Sequence, residues 1–403
     1  MMLTITFILL ILFVIGIDSV VLSQGRNIVI TSDGIAVATS SQAGRQLITY
    51  DVRTSQERTH RFTNLPSNVN AFHDVSVDPR LNARIAPTPF VFAIDAEAGI
   101  VCSFNLSASN NRRQQRNNNI RQGGTVGQDV QMNLIGCTTR SVSTQPFTGI
   151  ANMGGTMVVS GGTGGTSVFT YNPQNGRLSS EPFIRNQRLR DVGNPDVTMI
   201  SNDRVAYCAD DSRGSISFGV VTASINRQTS SITRDSFSRV QGTVGFDYSL
   251  GPANFPFESS VYRVPGEAQS YLYAANGAVT VRDTSRGSST RDVNMPNGFE
   301  ALTIDVDSQR GVAVVGGVVD DGASSAYLVL DIRTRPLSPS LIRFQVIGRN
   351  ANQFGRVGSR RITGIVTSEG SVLHVRDGSS SISHDRLPSL DDVMFYEEDD
   401  VVC

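Results

Sequence analysis

Short runs of alternating apolar and polar side chains dominate this chain, and they end on an acidic or amide residue at regular intervals. Gln46–Asp51, Thr166–Asn172, Ala278–Asp283, Ala326–Asp331 and Ser371–Asp377 share this form, with Ile100–Asn105 and Gly214–Asn226 as weaker members. Period two belongs to a strand, whose side chains go alternately to two faces. An Asp or Asn at the end closes a turn by bonding its own backbone. With the ends taken at 51, 105, 172, 226, 283, 331 and 377, the spacings are 54, 67, 54, 57, 48 and 46. That is the length of a four-stranded unit with long connections, and no amphipathic helix interrupts the series. One unit shows all four strands, at Ala301–Asp305, Gly311–Val315, Ala326–Asp331 and Leu341–Val346. The pattern predicts an all-β chain, a seven-bladed β-propeller of four-stranded antiparallel blades over residues 24–390. A sandwich or a solenoid would also alternate or repeat, but neither holds a period of about 50 residues over so many copies.

Three stretches lie outside the repeat. Leu3–Ile17 is a dominantly apolar run, followed by Asp18 and then Val21-Leu22-Ser23 before Gln24, which reads as a signal peptide over 1–23 cleaved after Ser23. Its lack of a basic start leaves an uncleaved anchor as the alternative. Residues 107–128 hold an Asn- and Arg-rich insertion with almost nothing apolar, a segment that cannot be core. Within it, Arg113 and Arg116 have an Arg-x-x-Arg spacing suited to secretory processing, against the plainer reading of a tolerated surface loop. The C-terminal stretch 391–403 is an acidic tail.

Export changes how the cysteines are read. Cys102, Cys137, Cys208 and Cys403 allow three pairings, and Cys403, as the last residue, is a candidate for an interchain bridge. Cys102 and Cys137 flank the insertion, although simple hairpin register sets them a few residues out of opposition. Asn105-Leu106-Ser107 is the one glycosylation sequon in the chain, and it predicts a glycan on Asn105. Charge narrows the partners. With 35 basic against 36 acidic residues there is no basic field for nucleic acid or an anionic membrane, and no membrane span is expected once the signal is removed. All 35 basic residues are Arg, which excludes Schiff-base chemistry on a lysine. Genome bias, or an environment in which amines are a liability, would account for that.

The phrases Val168–Leu178 and Ala326–Pro339 resemble the strand-and-turn units of secreted seven-bladed propellers of the lactonase-like and LVIVD-repeat types respectively. The Gly-His and Trp-Asp pairs of WD40 repeats are missing. The resemblance implies a site in the loops at the mouth of the central channel.

The segments leading into the innermost strands share an apolar or Pro residue before a polar one. Their register brings His73, Thr148, Asp196, Glu258, Glu300 and Thr363 toward the channel mouth. His73, Asp196, Glu258 and Glu300 would suit calcium, the one cofactor this set suggests, with hydroxyls, carbonyls and water completing six to eight ligands. Such an ion could polarise an ester carbonyl and activate water, which makes a calcium-assisted lactonase or esterase the alternative function. Turn closure is the plainer role for the same polar residues, and a slip of one residue sends each to the other face. No Gly-x-Ser-x-Gly elbow or phosphate loop is present, and His60 and His374 sit inside strand patterns. The absence of a complete catalytic motif favours a secreted or matrix-associated binding protein that recognises a protein or a glycan. Arg185, Arg188, Arg190, Phe246, Tyr248, Phe255, Phe354 and Arg356 are its candidate anchors.

Overall fold

Several of the strand runs are apolar at consecutive positions, so both of their faces need cover. Ile35–Thr39, Phe90–Asp95 and Thr156–Ser160 are buried along their whole length. The computed structural model supplies the cover by setting small sheets face to face. It describes residues 28–30, 35–39, 45–52, 54–72, 74–77, 90–95, 98–108, 130–138, 149–160, 165–187, 197–210, 218–239, 260–263, 270–275, 278–283, 289–307, 310–319, 324–334, 337–349, 365–366, 371–375 and 382–386.

Within these residues, strands consecutive in the chain pair antiparallel into seven sheets, six of four strands and one of three. The first sheet is β1 (Ile28–Ile30), β2 (Ile35–Thr39), β3 (Gln46–Asp51) and β4 (Gln56–Arg61). The second is β5 (Asp74–Val77), β6 (Phe90–Asp95), β7 (Ile100–Ala108) and β8 (Val130–Cys137). The third is β9 (Gly149–Met153), β10 (Thr156–Ser160), β11 (Thr166–Thr170) and β12 (Ile184–Gln187). The fourth is β13 (Val197–Ser201), β14 (Arg204–Asp210), β15 (Phe218–Asn226) and β16 (Ser231–Arg239). The fifth is β17 (Ser260–Arg263), β18 (Ser270–Ala275), β19 (Ala278–Asp283) and β20 (Ser289–Asp292). The sixth is β21 (Glu300–Asp307), β22 (Val312–Val319), β23 (Ser324–Asp331) and β24 (Ser340–Arg349). The seventh is β25 (Ile365–Val366), β26 (Ser371–Val375) and β27 (Ile382–Arg386). The leading strands touch one another in the order β1, β5, β9, β13, β17, β21, β25, and β25 touches β1, so the sheets close a ring with these strands innermost.

Most of the described cores lie between sheets. On β6, Val91 and Ala93 enter a core with Val37 and Leu47 of the first sheet. Phe90, Phe92 and Ile94 of the same strand enter another with Met157, Val159 and Phe169 of the third. The sixth sheet divides in the same way: Ala313, Val315, Leu328 and Leu330 pack with Val279 and Val281 of the fifth, and Val314, Tyr327 and Val329 with Val372 of the seventh. Each Val, Leu, Ile, Phe or Met side chain fully buried in this way contributes about 1.5–3 kcal/mol.

Four expectations from the sequence are corrected. The seventh sheet has three strands among the described residues, where four are expected. Ser371–Val375 is the middle strand of that sheet and follows its inner strand directly, whereas the repeat places it third. Second and third strands are both covered on two faces, so their alternation looks alike. Cys102 and Cys137 are directly opposite, because a bulge leaves Ile135 unpaired between Leu134, facing Phe104, and Gly136, facing Ser103. They form a disulfide, and Cys102 is fully buried. Finally, β7 continues through Ser107 to Ala108, which pairs with Val130, so the insertion begins after the strand rather than at Ser107. The sequon residue Asn105 sits inside β7, half-buried, between Phe90 on one side and Asn133 on the other.

Side chains also tie neighbouring sheets together. Arg58 on β4 donates to the carbonyl of Val130 on β8 at 3.2 Å. Arg227 donates to Thr156 Oγ1 and stacks over the Phe183 ring at 6.0 Å. The amide of Gln187 acts like a strand: its Nε2 donates to Ile232 O at 2.7 Å and its Oε1 accepts from Ile232 N at 2.7 Å. Gln187→Ala is expected to cost about 2 kcal/mol, two ordinary hydrogen bonds at roughly 1 kcal/mol each. The shift in urea midpoint checks this, with the m-value unchanged.

Candidate functional site

Every connection between sheets leaves an outermost strand and arrives at the next innermost one, so its two anchors lie at the same end of the ring. This is the channel-mouth end. His73, Thr148, Asp196, Glu258, Thr363, Arg188, Arg190, Phe246, Tyr248, Phe255, Phe354 and Arg356 lie outside the described residues. So do Arg113, Arg116, Cys403, the signal segment and the acidic tail. Glu300 is the first residue of β21, and Cys208 lies within β14, opposite Val220. Arg185 sits on β12, the outermost strand of its sheet, exposed and paired with Glu181 at 3.3 Å.

The connection from β4 to β5 shows how this end is built. Its apolar residues are plugs: Phe62, Leu65, Val69 and Phe72 are buried between the first and second sheets. Phe62, Phe72 and Phe104 form an aromatic group, with Phe72 edge-on to Phe104 at a centroid distance of 5.5 Å. A Pro66–Val69 turn, closed by Val69 N donating to Pro66 O at 3.0 Å, recurs as Pro296–Phe299 ahead of β21, at 3.2 Å. Arg45 donates to the carbonyls of Val69 at 2.9 Å and Ser67 at 2.8 Å, a use of two donors of one planar fork.

Two buried carboxylates complete the arrangement. Asp95, fully buried at the end of β6, accepts from Asn70 N at 2.7 Å and Ala71 N at 3.2 Å through Oδ2, and from Ala98 N at 2.9 Å through Oδ1. Asp74, at the start of β5, accepts from Val75 N at 2.7 Å and from Ile150 N of the third sheet at 3.0 Å. Further along the same seam, Ser76 donates to Asn152 Oδ1, and Asn152 Nδ2 donates to the Tyr171 hydroxyl at 3.3 Å. Charge-assisted bonds to amides fix backbone strongly, and they commit these oxygens to the fold. His60 is likewise structural, buried on β4 with Nε2 bonded to Thr49 Oγ1 at 2.8 Å. Among the described residues, no three His, Cys, Asp or Glu side chains converge to hold a metal ion. Asp95 is neither among the residues that lead into inner strands nor among the strand-ending residues of the repeat. The signal present was an Asp closing a second strand, in Asp95-Ala-Glu-Ala-Gly99.

Among solved structures, a chain of the mitotic checkpoint complex matches with 6% identity over 91% of this chain and 90% of that one, at a TM-score of 0.52. A protein from Lactobacillus plantarum matches with 11% identity over 79% and 84%, also at 0.52. The chain folds as a β-propeller. A putative 6-phosphogluconolactonase from Bacteroides fragilis matches this propeller at 10% identity over 89% and 96%, with a TM-score of 0.48. No family model matches it, and neither does any curated protein. At such identities the likeness of the propeller to the first two structures is one of fold alone.

The segment Val168–Leu178 is the third strand of a propeller sheet and the turn after it. Asn172 shapes that turn, its Oδ1 accepting from Gln174 N at 2.8 Å and its carbonyl from Gly176 N at 2.8 Å. Gly176 is buried with φ +70°, against Phe90 and Ile135 of the preceding sheet. The concave side of the turn is wide open and lined by its own residues, from Thr170 to Ser179. A second turn is held by charge: Arg333 Nη2 bonds Asp331 Oδ2 at 2.6 Å and keeps the Asp331 carboxyl below its ordinary value. A lowered folded value means a contribution present above the unfolded value and lost as pH falls through the folded one. Asp331→Asn should therefore destabilise by less than about 1 kcal/mol at neutral pH, with the deficit vanishing in acid. Urea midpoints of both proteins across that range check the sign.

Proposed function

We propose that this chain is an exported binding propeller of seven blades that recognises a protein or a glycan through its channel-mouth loops. One observation carries the reading. Asp74 and Asp95, the acidic side chains described at that end, turn their oxygens on main-chain amides and so build a rigid rim. Rigid rims that carry long variable loops are a common basis for recognition. The Cys102–Cys137 disulfide and the apolar Leu3–Ile17 run support an oxidising, extracellular setting, in which Cys403 is a candidate for a bridge to a second chain. Arg188, Arg190, Phe246, Tyr248, Phe255, Phe354 and Arg356 are the anchors in this reading.

Elemental analysis of the purified protein, with melting temperature measured before and after chelation, separates this reading from the hydrolase alternative. The binding reading expects no stoichiometric metal and an unchanged melting temperature. Calcium at one per chain, lost together with several degrees of melting temperature, would overturn it, because a bound ion must stabilise by mass action. Esters and lactones would then be the substrates to test.

A further inference from the structure

The sequence holds three Asn-Gly pairs, Asn175-Gly176, Asn276-Gly277 and Asn297-Gly298. Such a pair can react with itself, because glycine has no side chain to shield its amide nitrogen from the neighbouring carboxamide carbon. The fold treats two of the pairs oppositely, and Asn276-Gly277 lies outside the described residues. Asn175-Gly176 is locked. Gly176 is buried and its N–H donates to Asn172 O at 2.8 Å, while Asn175 Oδ1 accepts from Arg177 N at 3.0 Å. A methyl group on Gly176 would run into Phe90 and Ile135, so the backbone here has no room to swing. Asn297-Gly298 is open. Both residues are exposed at the tip of the Pro296–Phe299 turn, and beyond the adjoining residues no atom lies within 4 Å of where a methyl group on Gly298 would stand. Among the described residues, nothing bonds the Asn297 carboxamide or the Gly298 amide. The turn is gripped at its base instead: Phe299 is buried edge-on to Phe344 at a centroid distance of 6.0 Å, and Met295 packs against the same core.

We propose that Asn297 is a self-modifying site, where the Gly298 nitrogen converts the carboxamide into isoaspartate and aspartate while the fold spares Asn175. In the first step the Gly298 nitrogen gives up its proton and attacks Asn297 Cγ. A new C–N bond forms, the carboxamide C–N bond breaks, and ammonia leaves with that proton. The product is a cyclic imide, which water then opens. Breaking the new bond from nitrogen to Cγ yields aspartate. Breaking the original bond from nitrogen to the Asn297 main-chain carbonyl carbon yields isoaspartate, with the main chain routed through the side chain. One water is consumed and one ammonia released, and nothing is oxidised or reduced. Either product adds a negative charge at the channel-mouth end of the ring, three residues before Glu300. Isoaspartate also adds a carbon to the main chain between Pro296 and Phe299, so the 3.2 Å bond from Phe299 N to Pro296 O no longer closes the same turn.

Incubation of the full-length protein in mildly alkaline buffer at body temperature, followed by peptide mapping, tests the proposal. Trypsin cuts after Arg and so puts the three pairs on separate peptides. The expected result is conversion of the Asn297 amide to acid, with isoaspartate detected on that peptide by enzymatic methylation. Asn175 should convert slower by about tenfold or more, since its reaction must first break two hydrogen bonds. In denaturant the two peptides should convert alike, because the protection at Asn175 belongs to the fold. Asn297→Gln, whose longer side chain closes the ring far less readily, should leave that peptide unmethylated. An Asn297 amide that survives in the folded protein but not in denaturant would overturn the proposal, and so would equal rates at Asn175 and Asn297 in the folded protein.

Discussion

Asp95→Ala should lower the stability of this propeller by about 4–5 kcal/mol, three hydrogen bonds to a charged acceptor at roughly 1.5 kcal/mol each. The carboxylate is fully buried and serves Asn70, Ala71 and Ala98 together, so its loss strands amides from two separate segments. Asp95→Asn should recover only part of the loss. One oxygen remains as an acceptor, while the new amide nitrogen faces N–H groups it cannot satisfy. Urea unfolding of the three proteins gives the order parent, Asn, Ala. A loss below about 1 kcal/mol for Ala would mean that the β4–β5 connection does not depend on this residue. Hydrogen exchange at Asn70 and Ala71 offers a local readout, since their amides should lose protection in both variants.

Gly176→Ala is the second large effect, expected at about 3 kcal/mol. A left-handed φ of +70° costs an L side chain about 1 kcal/mol. A methyl group there would also sit 2.7 Å from Phe90 Cγ and Ile135 Cδ1, and forcing atoms into a packed core costs about 1–3 kcal/mol more. Phe90 is itself buried and has little room to withdraw. Phe90→Leu should therefore cost less in the Gly176→Ala background than in the parent protein, and a double-mutant cycle measures that coupling. Gly311→Ala supplies the comparison. Its φ is +67°, and the obstruction is the Arg333 stem, with Cγ in outright clash with the added methyl group, so beyond the backbone cost of about 1 kcal/mol the variant should loosen the exposed Arg333–Asp331 pair without disturbing the core.

How far the sequence revealed this molecule depended on whether the determining contact was local. The strand-and-turn runs at Gln46–Asp51, Thr166–Asn172, Ala278–Asp283 and Ala326–Asp331 are all third strands of sheets, because alternation and an Asx turn are written in adjacent residues. Ser371–Asp377 has the same local signature in a different place in its sheet, and local pattern offers no way to tell the two apart. The disulfide partners became opposed through the bulge at Ile135, and a bulge has no signature in alternation alone. The seam joining Asp74 to Ile150 and Ser76 to Asn152 links residues 76 apart, so neither half announces the other. Arginine use is partly legible: Arg45 and Arg227 exploit a planar fork or an aromatic face. Arg204 with Asp235, in contrast, is an exposed pair that an ammonium would serve as well, so the contacts do not account for a chain without lysine.

The placement of most of the described cores between two sheets limits how this protein can be divided. A piece excised at repeat boundaries would carry a raw apolar wall on each flank, and such walls aggregate or capture a matching piece from another molecule. Half-rings made separately, one ending after β12 and the other beginning at β13, should therefore find each other and reconstitute the whole. The loops of the second sheet cannot be transplanted on that sheet alone, because its described apolar side chains sit in cores shared with the first and third sheets.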